Sequence, residues 1–292
     1  MSTEMVNAFE EHRQLLFGIA YRMLGAVADA EDMVQNTFLR WQGARHTEVK
    51  SPRAWLTTVI TRLCINHLKS ARVQREKYVG PWLPEPMVTE FEPERLENTK
   101  LADSLSLAFL VLLESLTPTE RAVFVLREVF NYEFSEIGPI VEKSEANCRQ
   151  ILTRARKQVE ERRPRFDASP EDAERLIHQF GLAVRTGNIE ELLNMLAEDV
   201  IFVSDGGGKA RAVLRPIYGA DCVSRLLVEA TRKFGSTTET THPAIINGLP
   251  GTISFEGGRA TRVVAYGVRA GRVHSLFVIT NPDKLRHLSR AK

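Results

Sequence analysis

The residues Ser144 to Arg156, SEANCRQILTRAR, constrain this chain most, because their apolar and polar positions separate cleanly only on a helix. Cys148, Leu152 and Ala155 recur at i, i+4 and i+7, one face of a 3.6-residue period, and Ser144 suits the N-cap. Asn147, Arg149, Gln150, Arg154 and Arg156 point elsewhere, and each can hydrogen-bond base edges or phosphates. The segment predicts the second helix of a helix-turn-helix.

A chain of 292 residues with a formal charge of +2 should form roughly two or three compact units, and the small net charge hides strong local asymmetry. Arg40, Arg45, Lys50, Arg53, Arg62, Lys69, Arg72, Arg75 and Lys77 outweigh Glu48 and Glu76 in one stretch. The next stretch reverses sign through Glu85, Glu90, Glu92, Glu94, Glu97, Asp103, Glu114 and Glu120. Positive charge returns between Lys143 and Arg165. Two cationic modules joined by an acidic connector fit an extended polyanion.

Cys64, Cys148 and Cys222 are odd in number and far apart, which argues against a disulfide framework or structural zinc, and no cofactor is expected. The N-terminal MSTEMVNAFEE lacks the blocks of a signal peptide, and no apolar run is long enough to span a bilayer. A soluble, cytoplasmic protein without a membrane partner is the expectation.

In the first module, residues about 5 to 77, Leu15, Leu16, Ile19, Ala20, Met23 and Leu24 repeat at helical spacing up to Gly25, and Asp29 is expected to begin the next helix. Met33, Val34, Thr37, Phe38 and Trp41 form that helix's apolar stripe, leaving Asp32, Gln35, Asn36 and Arg40 outside. Ser51 and Pro52 supply a cap and first-turn proline for a third helix carrying Trp55, Leu56, Val59, Ile60 and Leu63. Arg62, Asn66, Lys69 and Arg72 cluster opposite, a cationic face suited to phosphates and unpaired bases, while Trp55 suits either a core or a stacking role.

DAEDMVQNTFLRW (29 to 41) followed by SPRAWLTTVITRLCINHLKSAR (51 to 72) resembles region 2 of bacterial extracytoplasmic-function sigma factors. The resemblance implies that Asp32, Gln35 and Asn36 contact the beta-prime clamp helices of core RNA polymerase, although the family commonly carries Glu where this chain has Asn36. It further implies that Arg45, Lys50, Arg53, Trp55, Arg62, Asn66, Lys69 and Arg72 serve capture and melting of the −10 promoter element.

Residues 78 to 110 read as an acidic, proline-rich, extended linker. Beyond it, Thr117-Pro118-Thr119-Glu120 is a capping box, Ser135 is expected to cap a short helix with Ile137 and Ile140 inward, and a turn at Val141 to Lys143 precedes the recognition helix. Residues 111 to 166 thereby resemble sigma region 4. That resemblance makes Glu145, Asn147, Arg149, Gln150, Arg154 and Arg156 readers of the −35 element.

From 168 to 292 the order becomes two helices, a strand, a helix and several strands. Runs at 252–256, 260–268 and 272–280 are separated by Gly257-Gly258 and Ala270-Gly271, both hairpin signals. This α+β unit resembles the SnoaL-like, cystatin-like cone of small polyketide cyclases. The expected fold is thus multidomain: a region 2 helical bundle, a region 4 helix-turn-helix and an α+β cone.

Sigma factors with such an extension form a subgroup, matched here by WLPEP (82 to 86), DGGGK (205 to 209) and NPDKL (281 to 285). The resemblance implies a fused regulator contacting region 2 and the linker, through Trp82, Leu83, Pro84, Asp205, Gly206, Gly207, Gly208, Lys209, Asn281, Pro282 and Asp283. It also leaves room for a small-molecule ligand in the cone.

Two other readings stay open from sequence. One is a helix-turn-helix regulator that binds duplex DNA without polymerase. The other is a DNA-tethered cyclase or isomerase using Asp205, His242, Tyr266 and His274, although no HExxH, GxSxG, phosphate-loop or dinucleotide motif supports an enzyme.

Overall fold

The computed structural model describes residues 3–44, 49–75, 78–89, 106–160 and 170–288. The chain divides into two compact units, residues 1–77 with 110–163 and residues 78–109 with 164–292.

In the first unit, α1 (Thr3–Glu10), α2 (Arg13–Leu24), α3 (Val27–Gln42) and α4 (Pro52–Arg75) form a bundle. Leu16, Ile19 and Met23 of α2 meet Ala30, Val34 and Trp41 of α3 and Leu56, Ile60 and Cys64 of α4 in a core closed to solvent. Gly25 ends α2 in the left-handed conformation. Helix α3 starts at Val27, two residues before Asp29, which lies in its first turn. Pro52 opens α4, and the Ser51 hydroxyl accepts from the Ala54 amide at 3.3 Å.

The helices α5 (Leu107–Leu113), α6 (Pro118–Phe124), α7 (Phe134–Val141) and α8 (Glu145–Glu160) follow. Thr117 and Glu120 complete the predicted capping box at α6, whose helix runs on into a π-helical turn, Val125–Val129. Ser135 is not the cap of α7. Glu133 and Glu136 cap it reciprocally, so Ser135 falls inside the first turn. Glu142 adopts φ 58° in the turn between α7 and α8. Gly138 makes this turn tight enough, since a Cβ there would lie 2.8 Å from the Lys143 carbonyl oxygen.

Buried arginines join the two helical modules within this unit. Arg121 donates to the Met23 carbonyl and to Glu114, both at 2.8 Å, and the Arg22 guanidinium lies 5.2 Å from the Phe130 ring centre. Burial lowers the Arg22 pKa to about 10.

The second unit opens with a connector strand, β1 (Val88–Thr89), and continues through α9 (Pro170–Thr186), α10 (Ile189–Met195), β2 (Leu196–Asp205), β3 (Ile217–Tyr218) and α11 (Ala220–Phe234). Strands β4 (Thr240–Ile246), β5 (Leu249–Glu256), β6 (Arg259–Arg269) and β7 (Arg272–Ile279) follow, then α12 (Pro282–Leu285). The sheet order is β1-β4-β5-β6-β7-β2-β3, antiparallel except for the parallel β2 and β7 pair. Six strands belong to the C-terminal α+β domain, and β1 is the connector's addition.

Positive φ at both centres of Asn247-Gly248, Gly257-Gly258 and Ala270-Gly271 turns the strands tightly. Phe202, Leu276 and Tyr266 lie in register across β2, β7 and β6 and pack with Ile177, Phe180, Leu192 and Val223 of the helices. The opposite face carries a second register row, Asp205, Ile279, Val263 and Ile253, also buried.

Candidate functional site

The recognition helix α8 is built as its periodicity requires. Cys148, Leu152 and Ala155 are buried, and the Ser144 hydroxyl accepts from the Asn147 amide at 3.3 Å. Burial pushes the thiols of Cys64 and Cys148 up, which makes them packing groups. Glu145, Arg149, Gln150, Arg154 and Arg156 are exposed and Asn147 is half-buried. Two of the arginines are already oriented: Arg149 donates to Glu145 at 2.9 Å and Arg156 to Glu128 at 2.7 Å.

On α3, Asp32, Gln35 and Asn36 are all exposed, with Leu39, 56% exposed, one turn further along the same side. Lys50, Arg53, Asn66 and Lys69 are exposed as well. Arg45 lies outside the described residues, and Arg72 is described by its backbone alone. Trp55 is half-buried, its ring 5.3 Å from that of Trp41, whose indole nitrogen donates to the Met5 carbonyl at 2.9 Å. Packing and an outward edge therefore coexist at Trp55.

Two of the basic residues face the second helical module. Arg62 donates to the carbonyls of Pro139 at 2.8 Å and Ile140 at 3.1 Å, at the C-terminus of α7, and lies 3.3 Å from the Glu142 carboxylate. The Tyr132 hydroxyl shares a 2.9 Å hydrogen bond with Thr57, and the Arg53 guanidinium lies 5.3 Å from the Tyr132 ring centre. Neither Tyr132 nor Thr57 stands out in the amino-acid sequence. An aromatic residue between two helix signals was the only trace.

In the second unit the three motifs WLPEP, DGGGK and NPDKL meet around one buried carboxylate. Asp205, fully shielded from solvent, accepts from the Tyr78 hydroxyl at 2.6 Å, the Gly207 amide at 3.0 Å, the Leu83 amide at 2.8 Å and the Lys284 ammonium at 2.7 Å. Lys284 also donates to the Leu83 carbonyl, and its ammonium lies 4.1 Å from the Trp82 ring centre and 5.2 Å from that of Tyr78. Asn281 caps α12 through the Asp283 amide at 3.0 Å and donates to the Tyr78 oxygen at 2.9 Å.

Only glycine fits beside that asparagine, because a Cβ on Gly207, at φ 58°, would lie 2.2 Å from its side-chain nitrogen. A Cβ on Gly206 would meet the Ala210 carbonyl oxygen at 2.3 Å. Lys209 pairs with Asp283, which holds that carboxylate below its ordinary range, and Pro282 starts the helix. Val79 packs over exposed Gly208, and Leu83 and Pro84 are buried. Burial, and then the hydrogen bond to the Asp205 carboxylate, raise the Tyr78 pKa.

The connector is fixed further by its backbone. Met87 and Asn247 exchange hydrogen bonds at 3.0 and 2.8 Å, and Val88 and Thr89 pair with Ile246 and Ile245 of β4. His287 bonds the Pro86 carbonyl at 2.9 Å. Tyr78, Lys284, Asn247 and His287 were not among the expected site residues, although Lys284 lies inside NPDKL.

The four side chains considered as acid–base groups lie apart. Asp205 and His242 occupy the two ends of one register row, separated by β5, β6 and β7, whereas Tyr266 packs against Phe180 on the helical side. His274 lies 3.5 Å from Asp199.

Residues 8–73 match the sigma-70 region 2 family, and residues 106–159 match sigma-70 region 4. The ECF RNA polymerase sigma factor SigJ of Mycobacterium tuberculosis is 37% identical over 290 residues, covering 96% of this chain and 92% of that protein. The probable ECF RNA polymerase sigma factor SigI of the same species is 30% identical over 287 residues, covering 95% and 93%. The crystal structure of the M. tuberculosis SigJ superposes with a TM-score of 0.76 at 34% identity, over 96% of this chain and 98% of that one.

Proposed function

Because the chain belongs to the extracytoplasmic-function RNA polymerase sigma factors, which direct polymerase to promoters and are not enzymes, we propose specific roles for its exposed side chains and for its C-terminal domain. Asp32, Gln35 and Asn36 hold the clamp helices of core polymerase. Lys50, Arg53, Trp55, Arg62, Asn66 and Lys69, with Arg45 and Arg72, capture the displaced strand at the −10 element by charge and stacking, which needs no catalytic group. Glu145, Asn147, Arg149, Gln150, Arg154 and Arg156 read the −35 element in the major groove.

The reading of the recognition helix is carried by its exposed polar row above the buried Cys148, Leu152 and Ala155 stripe. Footprinting of the full chain with core polymerase tests it. Protection at both elements and strand opening at the downstream one are expected, and protection at one element without opening overturns the assignment.

The C-terminal domain regulates in cis by holding the connector. The buried pair of Asp205 and Lys284 supports this role, because the carboxylate accepts from the Leu83 amide and the ammonium donates to the Leu83 carbonyl. Freeing the connector changes the reach of the segment between the two promoter-reading modules. Run-off transcription by full-length protein carrying Asp205→Leu, set against the unsubstituted chain, tests it: a changed transcript yield at equal polymerase binding is expected, and an unchanged yield removes the regulatory role.

The contacts of Arg53 and Arg62 add a second element of control. In this arrangement both guanidiniums are engaged by the −35 module, so they must exchange Tyr132 and the α7 carbonyls for DNA when the promoter opens. The protein acts in the cytoplasm, where polymerase and promoter DNA are found.

A further inference from the structure

Phe134 opens α7, outside the recognition helix, yet its half-buried ring touches the cations around it. The guanidinium carbons of Arg127 and Arg149 each lie 5.1 Å from its centre. Arg127 is held by the Tyr132 carbonyl at 2.8 Å and Glu133 at 2.9 Å, so one side of this group is anchored in the preceding loop. Arg149 is held by Glu145 at 2.9 Å while its side chain stays 57% exposed.

We propose that Phe134 is a positioning residue for promoter discrimination, its ring holding the Arg149 guanidinium ready for a bidentate contact with a base edge. The proposal rests on the reading of α8 as the −35 reader. An exposed arginine gives up much rotamer freedom when its planar fork docks on guanine O6 and N7. Two partners at right chemistry, a carboxylate one turn back and a flat, weakly hydrated ring, restrict the fork before DNA arrives. Glu145 alone would leave the side chain free to swing about a single exposed ion pair, an interaction of little strength in water. When Arg149 moves onto a base, Glu145 is released to accept from a cytosine amine, and the ring keeps the aliphatic stem of the arginine in place.

The size expected is that of one exposed cation–π contact, roughly a two- to fivefold loss of discrimination. The test is a binding selection on a randomised −35 duplex, using full-length protein bound to core polymerase. Phe134→Leu keeps apolar bulk but removes the π face, and Phe134→Tyr keeps both. Phe134→Leu is expected to relax preference at the base pair relaxed by Arg149→Ala, with binding to non-specific DNA and the thermal midpoint unchanged. Phe134→Tyr should retain preference, and the Phe134→Leu, Arg149→Ala double variant should discriminate no worse than Arg149→Ala alone.

Preference kept by Phe134→Leu but lost by Arg149→Ala overturns the positioning role and leaves the reading of α8 intact. Preference kept by Arg149→Ala overturns the role of Arg149 itself. Equal weakening on all sequences with a lowered thermal midpoint reduces Phe134 to a packing residue and also overturns the proposal.

Discussion

Lys284 and Asp205 form a buried ion pair at 2.7 Å, with side-chain exposures of 8% and 0%. Every other donor to that carboxylate is also fixed, two of them from the connector, so the charge is compensated by a complete shell. The pair ties residues distant in sequence to one electrostatic centre.

Removing one partner strands the other. Asp205→Ala leaves the Lys284 ammonium buried without its anion, and the expected loss is about 3–5 kcal/mol from the stability of the second unit. Asp205→Asn should cost less because it still accepts hydrogen bonds. Denaturant unfolding followed with hydrogen exchange checks this, with early loss of protection at the Leu83 amide. Protection there unchanged in Asp205→Ala would refute the clamp.

Tyr78 gives the clamp a pH signature. Its folded pKa is raised, first by burial and then by Asp205, above the unfolded value of about 10. The neutral phenol is therefore the form the fold favours. Its contribution is fully present below about pH 10 and disappears as pH rises through the folded value. Connector protection in the unsubstituted chain should fall in that alkaline window relative to its value at neutral pH. Tyr78→Phe should lack this component when the two alkaline titrations are subtracted.

Tyr132→Phe removes a hydroxyl shared with Thr57 inside the first unit. A loss of about 1 kcal/mol in stability is expected. Permanganate reactivity at the −10 element, with sigma limiting, should rise because Arg53 keeps the ring but loses the 3.4 Å hydrogen bond from its Nε to that hydroxyl. A fall in reactivity would argue that Tyr132 assists opening.

Asp32→Ala with Gln35→Ala should weaken association with core polymerase without changing stability by more than about 0.5 kcal/mol, because both side chains are exposed. Co-purification with core enzyme and a melting curve read the two outcomes separately. Unfolding of the double variant would show that the α3 surface is structural.

Several helices of the first unit were legible because a boundary is marked locally: Gly25 stops α2, Ser51 and Pro52 start α4, and Thr117 with Glu120 starts α6, whereas α1 and the start of α5 at Leu107, inside the stretch read as linker, carry no such mark. Ser135 misled because a good capping residue stood beside two glutamates that cap each other's backbone. Strand β4 escaped the alternation rule through Thr240, His242 and Pro243, although the Asn247-Gly248 turn behind it was a clear hairpin signal. In the candidate site, DGGGK and NPDKL could be named from sequence. Their convergence on Asp205 depends on the parallel register of β2 and β7, which brings Asp205 opposite Ile279 and which no local signal announces.

Strand β1 is only two residues long and lies at the margin of a sheet whose six remaining strands pair without it. Peeling it off would break a short ladder and leave the other six strands paired. The border left behind carries Pro243, which lacks an amide proton, and this discourages the naked strand from recruiting a second molecule. Detachment of the connector strand and protection of the edge it would leave thus rest on two neighbouring strands, Val88–Thr89 and Thr240–Ile246.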